Sequence, residues 1–103
     1  MAGPHLAAFV VDAAHPALAG HFPGRPIVPG ALLLDLVARV AAAAWPGMTV
    51  TALRQAKFTV PVLPGQVIDI ALQPGPGAVL GFTCRHAGTT VAQGSFALQE
   101  PLP

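Results

Sequence analysis

Charge, sulfur and aromatic rings are all scarce in this 103-residue chain. Only 9% of its residues are charged, aromatics make up 6%, tyrosine is absent, and there is one cysteine, Cys84. A lone cysteine excludes an internal disulfide and any thiolate metal cluster. It stands between Thr83 and Arg85 in an expected strand with no histidine and acid patterned beside it, so it reads as packing rather than as a nucleophile. No histidine or carboxylate cluster has ligand spacing, and neither a metal nor a cofactor is implied. The net charge of +1 with no run of Lys or Arg sets nucleic-acid binding aside. The longest apolar helical run is about fourteen residues, short of the roughly twenty that cross a bilayer, so no membrane partner is expected. No charged leader precedes an apolar core, which predicts cytoplasmic residence. Without internal repeats, residues 1–103 read as one domain.

What is abundant is aliphatic surface: hydrophobic residues make up 53% of the chain. A small domain of that composition buries only a modest core by itself, so a dimer with a large apolar interface is expected. The clearest helix lies over residues 31–44, where Asp35 and Arg39 are the only residues that are not aliphatic. A helix apolar all round is expected to be buried all round. Gly30 opens it and Trp45-Pro46-Gly47 closes it. Strands are expected over residues 5–13, 49–60, 67–73, 78–86 and 89–99, each bounded by Gly or Pro turns. Between the first strand and the helix, Pro16, Pro23, Pro26 and Pro29 leave a stiff, bent loop. His5, His15 and His86 read as solvated or locally bonded residues.

Asp35 and His21 carry the chemistry. A carboxylate among leucines loses solvation worth several kcal/mol unless something compensates. One compensation is Arg39, a helical turn later and in the favourable order. The other is acid chemistry, in which burial favours the protonated carboxyl and lets it donate near neutral pH. An acid of that kind wants a partner base, and His21, fourteen positions upstream, is the candidate, unless it only pins the loop by bonding backbone carbonyls.

HFPGRPIVPG at residues 21–30, followed by ALLLD at 31–35, resembles the active-site signature of the beta-hydroxyacyl-acyl carrier protein dehydratases. KFTVPVLPG at residues 57–65 resembles the strand and turn that follow in that family. The resemblance implies an α+β hot-dog fold, a curled antiparallel sheet of five or six strands wrapped around one long central helix. It also implies a pairing of two such subunits, with each active site taking its histidine from one chain and its acid from the other. The activity implied is loss of water from a 3-hydroxyacyl thioester carried on acyl carrier protein, with His21 as base and Asp35 as acid. The Gly30 N–H would meet charge on the thioester oxygen, and the Ile27 carbonyl would hold the imidazole. Val28, Pro29 and Ala31 complete the expected substrate site.

Arg39 stands where relatives commonly have glutamine, and a guanidinium beside Asp35 favours its ionised form. Arg25, Arg39, Arg54, Lys57 and Arg85 are the cations available to an acidic carrier protein. Two other readings stay open: a weakly active or inactive subunit that pairs with a related dehydratase, and an acyl thioesterase on the same fold. Acyl chain length, pathway, isomerase activity and homodimer versus heterodimer are also left open.

Overall fold

Ile68, Ile70 and Leu72 alternate with Asp69, Ala71 and Gln73, and Leu80, Phe82 and Cys84 alternate with Gly81, Thr83 and Arg85. A period of two puts each apolar set on one face of its strand. In a computed structural model of the chain, which describes residues 4–15 and 27–100, those six apolar residues form the centre of the core. The elements in chain order are β1 (His5–Val10), α1 (Gly30–Ala44), β2 (Val50–Phe58), β3 (Val67–Pro74), β4 (Val79–His86) and β5 (Thr89–Leu98). They match the expected helix and five strands.

The five strands form one antiparallel sheet in the order β1-β3-β4-β5-β2. Strands β3, β4 and β5 are a meander in the middle, while β1 and β2 are the two edges. The chain crosses from one edge to the other through α1, which lays Leu33, Val37 and Ala41 onto the apolar face of the sheet. This is the curled sheet around a helix that the resemblance implies. Phe82 and Phe96 stack across β4 and β5 with ring centroids 5.1 Å apart, and the His5 ring meets Trp45 edge-on at 5.8 Å. His86 has a local role as well, its Nδ1 lying 3.1 Å from the Val67 carbonyl oxygen.

Strand β1 stops at Val10, short of the expected Ala13, because Asp12 Oδ1 accepts the Ala14 N–H at 2.7 Å and turns the chain. At Gly94 the edge strand β2 comes so close that a Cβ would strike the Gln55 carbonyl and the Phe82 ring. A glycine there lets β2 approach β5 closely, beside an irregularity in register between Leu53 and Gln55.

α1 is not enclosed on all sides by its own chain. Leu33, Val37 and Ala41 are buried, whereas Ala31, Asp35, Arg39 and Ala43, spaced four apart, form an exposed ridge. The expectation of all-round burial is therefore corrected for the single chain: one sheet covers one side of a cylinder about 10 Å across.

The β4–β5 hairpin turns through Ala87 and Gly88, with φ of 49° and 83° between the paired residues His86 and Thr89. Two consecutive positive φ values describe a type I′ turn, which favours Asn-Gly. Ala87→Asn is expected to stabilise the fold by about 1 kcal/mol, because a Cβ without a local hydrogen bond is costly in the left-handed region. Urea unfolding checks it, and an unchanged or lower midpoint would count against this reading of the turn.

Cys84 is fully buried in the core, and burial pushes its thiol up from 9.0 to about 11. Between those values the folded chain keeps a proton that the unfolded chain has lost, so stability present below 9.0 declines as pH rises toward about 11. Urea unfolding across that window is expected to show a steeper decline for the native chain than for Cys84→Ala. Equal slopes would mean that the thiol is not linked to folding.

Candidate active site

Proline at position 29 sets where the helix begins. Its φ of −59° and ψ of 142° keep it outside the helix, and its carbonyl accepts the Leu33 N–H at 3.1 Å as the first helical bond. No side chain caps this start. The N–H groups of the first turn, beginning with Gly30, therefore lack an intrahelical acceptor and sit at the positive end of the helix dipole. The segment leading in is anchored by the Val28 N–H, which donates to the Val62 carbonyl at 2.8 Å, and Val28 itself is buried. This bond ties the residues before the helix to the connection between β2 and β3.

Between these two segments is an apolar hollow of about 470 Å³, lined by residues 27–30, residues 58–62 and Leu33. Its walls thus come from both stretches that carry the resemblance. Ile27, Val60 and Pro61 are shared with a second apolar hollow of about 710 Å³, which continues to Leu63, Pro64 and Gln66. A third, of about 450 Å³, lies on the other face of the sheet among Gln55, Lys57, Gln73, Thr83 and Gln93. It holds neither a carboxylate nor an imidazole, and its residues point away from α1. Of these three, the hollow at the helix start combines apolar walls with free amide donors.

Of the expected site residues, the structure brings Ile27, Val28, Pro29 and Gly30 together at this hollow. His21 and Arg25 lie outside the described residues. Ala31 falls on the exposed ridge of α1 and does not line the hollow, since one residue rotates a helix by about 100°. Asp35 is on the same ridge. Its side chain is 52% exposed, and Oδ2 accepts a hydrogen bond from Arg39 Nε at 2.9 Å. The expected burial of Asp35 is thus corrected for the single chain, and the pairing with Arg39 is what the structure shows. Such an exposed i,i+4 pair contributes about 0.5 kcal/mol or less. It does not itself explain why an ion pair stands in an otherwise aliphatic helix.

Phe58 is the residue that the sequence left without a role. It ends β2 opposite the small Ala92, and its ring tip lies 3.0 Å from where a Cβ on Gly30 would be. Its sequence signal was only a position inside the second stretch that carries the resemblance, since the register that aims it at Gly30 is a property of the sheet. Among the described residues no group of three or more His, Cys, Asp or Glu is arranged to hold a metal. Nor is any described helix long and apolar enough to cross a membrane.

Comparison with known proteins bears on the family and the fold. The chain is 32% identical over 95 residues to a 3-hydroxyacyl-[acyl-carrier-protein] dehydratase FabZ of Roseobacter denitrificans, covering 82% of the chain and 62% of that protein. It is 35% identical over 100 residues to the FabZ of Alkaliphilus metalliredigens, covering 89% of the chain and 63% of that protein. It therefore spans about three fifths of the length of these curated relatives. Among solved structures, it superimposes with a TM-score of 0.83 and 24% identity on a chain of the dehydratase heterocomplex ApeI:P from Xenorhabdus doucetiae, covering 93% of this chain and 87% of that one. That likeness establishes the fold. The sequence profile described as ApeI-like, ApeI dehydratase, matches residues 3–95. The chain belongs to the ApeI-like dehydratase family.

Proposed function

We propose that this chain dehydrates a 3-hydroxyacyl thioester, carried on acyl carrier protein in the cytoplasm, to the trans-2-enoyl thioester. The observation that carries the reading is the apolar hollow at an uncapped helix start, walled by the two stretches that resemble the dehydratase signature.

The chemistry must remove a weakly acidic proton from C2 and expel a poor leaving group from C3. His21, as the neutral imidazole, takes the C2 proton, and the Ile27 carbonyl orients the ring. The electron pair left on C2 delocalises onto the thioester oxygen, where the Gly30 N–H and the helix dipole meet it. The C3–O bond then breaks as Asp35 of a partner subunit delivers a proton to the departing oxygen. Water leaves, and the proton balance is restored when His21 returns its proton to solvent or to Asp35.

Asp35 needs a second subunit for this role. A subunit laid over the ridge of Ala31, Asp35, Arg39 and Ala43 would take water from the carboxyl and favour its neutral form. Arg54 and Lys57 on the edge strand β2, and Arg85 on β4, are exposed and available to an acidic carrier protein. A second reading is favoured by one observation, the Arg39 guanidinium bonded to Asp35. In that reading the chain is a weakly active subunit whose partner is a related but different dehydratase chain. The heterocomplex that resembles it supports such pairing.

One assay decides between them. A 3-hydroxyacyl thioester is supplied, and enoyl absorbance and free thiol are both recorded. The first reading expects enoyl product without thiol release, lowered about a hundredfold or more by His21→Ala and by Asp35→Asn. Product that appears only with Arg39→Gln would favour the second reading. Free thiol without enoyl product would overturn both in favour of a thioesterase.

A further inference from the structure

We infer that Phe58 selects which acyl chains enter the site at the start of α1, an inference that rests on reading that site as one for acyl thioesters. Phe58 is a large apolar side chain left 49% exposed although it belongs to an inward-facing row of β2. Its cross-strand neighbour Ala92 is too small to hold the ring. What the ring meets instead is the α-carbon side of Gly30, with Cζ, Cε1 and Cε2 at 3.0, 3.3 and 3.3 Å from the place of a missing Cβ. A Cβ at position 30 would therefore press on the ring and displace it.

The backbone around the ring is firmly held. The Thr59 N–H donates to the Val91 carbonyl at 2.9 Å, and Thr59 Oγ1 donates to the Thr90 carbonyl at 2.9 Å. The opposite wall is fixed by the bond from Val28 to Val62. With both backbones fixed, the size of the side chain at position 58 determines the width of the hollow beside Gly30. A chain that passes it has more apolar wall to follow, since the second hollow shares Ile27, Val60 and Pro61 with the first. A phenyl ring in this place restrains long acyl chains while leaving short ones room at the free amides.

The test is binding of unreactive saturated thioesters, so that it does not depend on turnover. Butyryl-pantetheine and decanoyl-pantetheine are titrated calorimetrically into the native chain and into Phe58→Ala, Phe58→Leu, Gly30→Ala and the double variant Gly30→Ala/Phe58→Ala. Phe58→Ala is expected to shift the ratio of the two affinities toward decanoyl by about tenfold, the scale of a methylene gained or lost in an apolar pocket. Phe58→Leu should shift it in the same direction by less. Gly30→Ala, whose new Cβ pushes the ring into the hollow, should shift it toward butyryl, and removing the ring in the double variant should abolish that shift. Circular dichroism identifies any variant that fails to fold, and the remaining variants still give the ratio. Binding with an unchanged ratio in the Phe58 variants would overturn the selective role alone. A native chain that binds neither thioester would overturn the acyl-site reading and this inference with it.

Discussion

The structure depends on a helix that its own sheet covers on one side only. Leu33, Val37 and Ala41 press into the core against the sheet, and this contact, together with the start set by Pro29, fixes which way the first amides of the helix face. The opposite ridge carries two alanines and an ion pair, with the half-buried Leu32, Leu34, Leu36 and Val40 on its flanks. Alanine and leucine side chains beside one isolated pair are a poor surface for water and a good one for another helix. The packing therefore leaves a face suited to the second subunit proposed above, before any chemistry is considered.

The same asymmetry separates the two halves of the chemical machinery. Gly30 and the apolar hollow belong to the covered end of the helix, whereas Asp35 faces outward on the ridge. One chain thus presents the apolar hollow on one side and the candidate acid on the other. Two subunits brought ridge to ridge would place each acid among the other's residues. In the single chain Asp35 satisfies its charge locally with Arg39. In the proposed pairing, the covering surface would decide whether that pair persists or gives way to a proton-donating carboxyl.

Much of this was legible in the sequence, for identifiable reasons. The proline before Gly30 and the Trp45-Pro46-Gly47 stop bracket the helix, and both ends appear where those residues put them. The strands follow from alternation between Gly and Pro turns, with ends displaced by a few residues where local bonds intervene, as at Asp12. Burial was misjudged at Asp35. Composition cannot tell a helix surrounded by its own fold from one that its own chain covers on one side only, because alanines suit both. Phe58 over Gly30 was illegible for a different reason, since it depends on a cross-strand register spanning more than thirty residues of chain. His21 lies outside the described residues, and its place in the account rests on the spacing and the resemblance.

The central claim is that each active site joins His21 of one subunit to Asp35 of another. His21→Ala and Asp35→Asn chains, each inactive alone, are mixed in equal amounts, unfolded and refolded together, and assayed for dehydration. Random pairing makes half of the dimers mixed, and each mixed dimer holds one intact site, so about a quarter of native activity is expected to return. A mixture as inactive as either variant alone, with mixed dimers shown to have formed, would contradict the claim.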